Sequence, residues 1–318
     1  MTTRQIYDLA VTLGTQADFR RPAGVKAHLN RIKKQYDNLG PKAKAAFDRE
    51  KLTNPYSDSR VLVDTGKKAI KKVLAGIDME GAELLLAKQL GDIDLVIAHH
   101  PEGSALADLA DVMPLQAELL STYGIPINIA ESLIKLRVSE VHRSVSPANH
   151  NRSVDMARLL GLDFICVHTP ADNLAHNFLS RLLKKNEDKL ETVGDIIDLL
   201  KTIPEYQAAT KLKAGPTLFN GSEERSCGKV IAVEFTGGTS GSKDIYEKMS
   251  HYGIGTVIGM HMSEEHRKEA EKYHINVIIA GHMASDSLGM NLFLDELEKK
   301  GVAVQPVSGL IRIKRFKR

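Results

Sequence analysis

The chain has 318 residues, 42% of them hydrophobic, and a formal net charge of +3 with 26% charged side chains. That is enough apolar material for one large or two medium domains, and the charge is too balanced to mark a nucleic-acid or membrane-surface protein. With no Trp and 5% aromatic residues, it also lacks the stacking platforms of single-strand binders.

Residues 1–58 read as a helical, peripheral N-terminal extension. Ile6, Leu9, Ala10 and Leu13 make one helical stripe, Val25, Leu29, Ile32 and Tyr36 a second, and Gly24, Gly40 and Pro41 punctuate them. The leading residues, Met1-Thr2-Thr3-Arg4-Gln5-Ile6, form no signal-peptide core. No stretch approaches the roughly 20 apolar residues of a membrane helix. The two cysteines are Cys166 and Cys227. Cys166 lies inside an apolar run and reads as a buried free thiol, a usage that fits a reducing compartment. The expected location is therefore cytoplasmic.

A first α/β lobe is expected over 59–180. Strands are read at 72–78 and at 95–98, the latter running Leu95-Val96-Ile97-Ala98 into His99-His100-Pro101, with a helix at 80–90 between them. Residues 105–123 read as helical up to Gly124, and Ile125-Pro126-Ile127-Asn128-Ile129 as a short edge-like run. Helices at 131–142 and 151–160 lead to a strand at 164–167, which ends at His168. The polar stretch 181–228, with a helix at 192–201, reads as a connection.

A second α/β lobe is expected over 229–318. Strand 229–235 ends in the glycine-rich loop Thr236-Gly237-Gly238-Thr239-Ser240-Gly241-Ser242, and strand 255–259 in Met260-His261-Met262. A helix at 263–273, a strand at 276–280 running into Gly281-His282, and a helix at 288–300 follow. The basic tail from Arg312 to Arg318 reads as an edge strand ending in solvent. Each half thus runs strand, helix, strand with His, helical material, strand with His-x-x-x-Asp. The fold class is therefore α/β, with two similar lobes, an internal duplication, and ligands gathered at strand carboxyl ends between them.

Neighbouring residues leaving a strand point to opposite sides, so His99 and His100 can serve two different metal ions, or one a metal and the other a partner behind its ligands. His168-Thr169-Pro170-Ala171-Asp172 and His282-Met283-Ala284-Ser285-Asp286 stand at two further strand ends. Imidazole and carboxylate suit first-row metals, and a two-metal site needs several of them with one acid able to bridge. His99, His100, Asp172, His282 and Asp286 supply that minimum, with His168 as an added candidate. His261 and His266 are candidate proton carriers. Gly237 and Gly238 are candidate substrate-binding residues on an anion-holding turn. A tight strand-to-helix turn explains that loop equally well. His28, His142, His150, His176, His251 and His274 lack such a context. His142 with Arg143, and His150 with Arg152, read as solvated helix ends rather than as contacts for an anion.

The set resembles the Nif-three-like family of dinuclear-metal hexameric proteins, many of them labelled GTP cyclohydrolase I type-two homologues. His99-His100-Pro101, the His168 to Asp172 motif, the loop from Gly237-Gly238 and the Gly281 to Asp286 motif match the family pattern in order, over roughly 70–300. The resemblance implies two α/β lobes with a two-metal site between them, held by His99, His100, Asp172, His282 and Asp286. It also implies a toroidal homohexamer with the sites facing an internal cavity. Three departures stand out. Asp286 replaces the usual Glu, Ile258-Gly259-Met260 replaces Thr-Gly-Glu, and no Asp-Asn-Val-Gly-Leu motif is evident near the N-terminus.

The expected function is that of a metal-dependent hydrolase holding two divalent ions (Zn, Fe or Mn) and acting on a nucleotide-like or phosphorylated small molecule. The alternative is a metal carrier or regulatory scaffold without turnover. Expected partners are a small-molecule substrate and further copies of the chain, with neither nucleic acid nor membrane.

Overall fold

A computed structural model gives the structure of residues 1–316; Lys317 and Arg318, the end of the basic tail, lie outside the described residues. Helices α1 (Thr3–Ala17), α2 (Arg21–Asp37) and α3 (Pro41–Ala46) come first, followed by β1 (Arg60–Val63). The sequence stripe over α1 does not mark a peripheral helix. Ile6, Tyr7 and Ala10 are buried in the same cluster as Val73, Ile97 and Phe293. The stripe over α2 carries less, with only Val25 fully buried.

The first sheet is built from β2 (Lys72–Gly76), β3 (Leu95–Ala98) and β4 (Asp163–Cys166), all parallel, with β1 antiparallel against β4. Its strands are apolar on both faces because both faces are covered. Leu95 and Ile97 face the cluster that holds α1, while Val96 and Ala98 face α4 (Gly81–Leu90). Between β3 and β4 run α5 (Gly103–Ala107), α6 (Leu109–Val112), α7 (Pro114–Thr122), α8 (Ile127–Val145) and α9 (Arg152–Leu160). The edge-like run expected at 125–129 is instead a turn and the start of α8, with Pro126 as its N-cap. A fixed proline φ suits the entry to a helix better than a place in a sheet.

After β4, α10 (Thr169–Asn186), α11 (Val193–Lys201) and α12 (Pro204–Lys211) lead to β5 (Thr217–Asn220) and β6 (Lys229–Ala232). Then come α13 (Ile245–His251), β7 (Ile254–Gly259), α14 (Glu264–Lys272), β8 (Asn276–Ile279), α15 (His282–Lys299) and β9 (Ala303–Pro306). The second sheet has the order β5-β8-β7-β6, against β1-β4-β3-β2 in the first. Adding four to each strand number of one gives the other, and in both the outer strand at the β4 or β8 side is antiparallel. The two similar α/β lobes read from the sequence are therefore present as a topological duplication.

Two strands fall outside the lobe boundaries expected from sequence. β5 lies in the stretch read as a connection, and β9, from the second half, pairs in parallel with β2 of the first sheet. Helices α10 and α15 sit between the sheets. Residues of both enter the core cluster against each sheet, such as Ala171 and Phe293 on one side and Leu179 and Leu288 on the other. Gly289 of α15 lets them touch. A Cβ there would stand 2.2 Å from the carbonyl oxygen of Ala171. The tail is not a solvated edge strand. Arg312 bonds Asp295 and Glu298, and Arg315 forms two 2.6 Å bonds with the carboxylate of Glu205. Among the described residues no helix is long and apolar enough to cross a membrane.

Candidate metal centre

His99 and His100 follow β3, His168 is the N-cap of α10 after β4, and His282 opens α15 after β8. Asp172 and Asp286 lie one turn into α10 and α15, so both carboxylates sit at the positive end of a helix dipole. The close approach of those helices at Gly289 draws the acids toward the same imidazoles. The result is a cluster of His99, His100, His168, Asp172, His282 and Asp286. Nε2 of His99 lies 3.4 Å from Asp172 Oδ1 and 3.5 Å from Asp286 Oδ1. Asp286 Oδ2 lies 3.4 Å from Nε2 of His100 and 3.5 Å from Nε2 of His282.

These separations are gaps rather than bonds. His99 Nε2 and both oxygens of Asp286 are buried with no hydrogen-bond partner. Buried polar atoms are otherwise almost always satisfied, and a bare carboxylate costs the most. Ligand atoms on a tetrahedral ion with bonds of about 2.1 Å stand about 3.4 Å apart. The donor set and its spacing therefore fit a metal ion, and these buried His and Asp groups could hold one.

The electrostatics are those of a site made for positive charge. Burial raises the Asp172 carboxyl to about 6, against the pull of His168 and His99. Burial also pushes Asp286 up, but His99, His100 and His282 outweigh it and hold that carboxyl well below the usual range. Burial takes the His282 imidazole down to about 4. For His168 burial acts downward too, but the carboxylates of Asp172 and Asp58 overcome it and raise it to about 9.

Each imidazole of the first lobe is held from behind. His99 Nδ1 donates to the carbonyl of Val167 at 3.1 Å. His100 Nδ1 meets Asp78 Oδ1 at 2.6 Å, and His168 Nδ1 meets Asp58 Oδ2 at 2.8 Å. Such outer partners fix the ring and its tautomer. Asp58 and Asp78 were missed in the sequence. Each is a single acid in a loop with no spacing to flag it.

The remaining candidates are placed differently. His261 stands beside the cluster, its ring centroid 5.0 Å from that of His282 and its Nδ1 3.1 Å from Ser240 Oγ. His266 has both ring nitrogens engaged, with Ser263 Oγ at 2.7 Å and the carbonyl of Gly241 at 3.2 Å. Gly237 and Gly238 belong to a loop docked on α6 and α7. The Gln116 amide donates to the Gly237 carbonyl at 2.8 Å. A Cβ on Gly237, whose φ is +88°, would approach Gln116 Cγ to 2.8 Å. Packing is thus reason enough for that glycine.

No family model and no curated protein matches the sequence. Among solved structures, a NIF3 superfamily protein from Sphaerobacter thermophilus superposes with a TM-score of 0.79. It shares 28% sequence identity over 98% of this chain and 99% of that one. The chain is similar to this NIF3 superfamily protein over nearly its whole length. Reduced HcgD from Methanocaldococcus jannaschii shares the fold at a TM-score of 0.50 and 14% identity, over 83% of this chain and 94% of that one. The Nif-three-like resemblance read from the strand-end motifs is borne out. In this NIF3-like chain the family's His-His, His-x-x-x-Asp and Gly-His motifs meet at one point between the duplicated sheets.

Proposed function

We propose that this NIF3-like protein holds two divalent metal ions and works as a metal-dependent hydrolase on a nucleotide-like or phosphorylated small molecule. One observation carries the reading. Asp286 is buried with both oxygens unpartnered, and it belongs to two ligand sets, His99–Asp172–Asp286 and His100–His282–Asp286. A carboxylate common to two sets is the kind of acid that would be shared in a two-metal site, with His99 and Asp172 on one side of it and His100 and His282 on the other. Zn, Fe or Mn suits these ligands. Bound there, such ions supply Lewis acidity and activate water for hydrolysis.

The chain's own groups do the rest. Asp78 and the Val167 carbonyl orient His100 and His99. His261, tied to Ser240 by Nδ1, keeps Nε2 for holding or moving a proton. A mostly acidic cleft lined by Asp78, Glu80, Glu83, Arg152 and Ser308 adjoins the residue that holds His100. The reading includes a cytoplasmic homohexamer; both cysteines are free and buried, as a reducing compartment allows.

Protein purified without chelator should carry two metals per chain by elemental analysis and hydrolyse members of a nucleotide and phosphoester panel. His99→Ala and Asp172→Ala should each lose most of the metal while the far-UV spectrum is kept. Asp172 in particular is a carboxylate whose charged form burial disfavours, so removing it relieves the metal-free fold. Full stoichiometry in both variants would refute the ligand assignment. Metal without turnover, together with transfer to an acceptor protein, would favour the carrier. Light scattering should give six times the 35.0 kDa chain mass.

A further inference from the structure

Three imidazoles of the cluster share one construction. In His99, His100 and His168 the Nδ1 atom is pinned from behind, by the Val167 carbonyl, Asp78 and Asp58 respectively. Ligand atoms of the three rings lie within 4.8 Å of one another. Their ring centroids are 5.0 to 6.0 Å apart. Of the three, His168 is the most firmly set. Its backbone N–H donates to Ser59 Oγ at 3.0 Å, and Asp58 Oδ2 takes both its Nδ1–H, at 2.8 Å, and the Thr169 hydroxyl, at 2.6 Å. Asp58 is fully buried, and His168 nearly so. A carboxylate can only accept, so the Nδ1 proton is committed to Asp58. Nε2 is left toward the cluster, 3.8 Å from Asp172 Oδ2.

A buried pair placed only for stability would close that 3.8 Å gap to a hydrogen bond, since an unbonded charged pair pays desolvation without full return. The gap, like the 3.4 to 3.5 Å ones of the cluster, is left unbonded. We infer that His168 is a further metal ligand of this centre and that Asp58 is the positioning residue that presents its Nε2. This rests on the two-metal reading above, but the two can fail separately.

The test uses the full-length protein stripped by chelator and titrated with Co²⁺, whose visible absorption reports its ligands, with Zn²⁺ competition giving affinities. His168→Ala should weaken one metal equivalent by 10-fold or more and change the Co²⁺ spectrum. Asp58→Ala should weaken the same equivalent by about 10–100-fold, the usual effect of removing a histidine's outer partner. The double variant should be no worse than His168→Ala, because Asp58 acts through His168. Asp58→Asn, which keeps an acceptor for Nδ1–H, should stay within a few-fold of the unaltered protein, and it replaces Asp58→Ala if that variant does not fold. A His168→Ala protein that binds both equivalents with unchanged affinity and spectrum overturns the inference and leaves the two-metal centre standing. Additive losses in the double variant overturn the role of Asp58. Failure of the unaltered protein to take up Co²⁺ overturns the centre itself.

Discussion

Asp286 lies 3.4 to 3.5 Å from three imidazole nitrogens and hydrogen-bonds none of them. That spacing makes a direct prediction. Asp286→Glu adds one methylene toward nitrogens that stand too far off to bond, so the variant should keep its metal; loss of metal by elemental analysis would mean the site is sized to the shorter acid. A second residue reports on burial rather than on metal. His176, buried in α10, has its imidazole pulled down to about 4 by desolvation. The unfolded chain binds that proton near the ordinary value of 6.5, so it holds more protons than the fold between the two values. Stability from this group is complete above pH 6.5 and is lost as pH falls toward 4, by about 3 kcal/mol. Thermal melts over that range should show the loss, and His176→Asn should flatten it. The residues that carry chemistry were legible because each stands where an apolar run stops. Asp58 and Asp78 were not, because what makes them matter is an imidazole 110 and 22 positions away.

At the scale of elements, the close pair α10 and α15 is what turns two separate motifs into one centre. Gly289→Ala would drive a methyl group into the Ala171 carbonyl, one residue before Asp172. The helices must then part, at a cost of about 1–3 kcal/mol for overpacking of this kind. Metal affinity should fall along with stability, measured by Zn²⁺ competition and urea melts; a drop in stability with affinity intact would mean that the acids follow the helices without separating. α15 begins at His282 rather than at the 288 expected from sequence because its first turns offer no amphipathic contrast: Ser285, Asp286, Ser287 and Asn291 are all buried. β5 and β9 are hidden in the sequence for the opposite reason. Both are four-residue strands alternating between exposed and half-buried positions, too short and too polar to stand out. The parallel strands, apolar on both faces, were read closely.

At the scale of the molecule, the stretch after β9 straps the halves together. Val307 donates to Ala75 of the first sheet, Ile311 to Ser287 of α15, and Arg315 reaches Glu205 of α12. Glu205 is fully buried, and Asn291 is the other side chain bonded to it. Arg315→Met should therefore cost about 3 kcal/mol by stranding a buried carboxylate, and Glu205→Gln in the same chain should restore part of it in denaturant melts. No recovery in the double variant would place the cost in packing. The position of β9 bears finally on how the protein is made. Its pairing partner, β2, is synthesised more than two hundred residues earlier. Until β9 has emerged from the ribosome, the first sheet has an open flank. An amino-terminal half can collect its helices during translation, but its sheet stays open beside β2 until β9 is made. A gene cut between the two lobes would accordingly yield fragments that need each other, and protection of the β2 backbone from hydrogen exchange should arise late, together with that of α15.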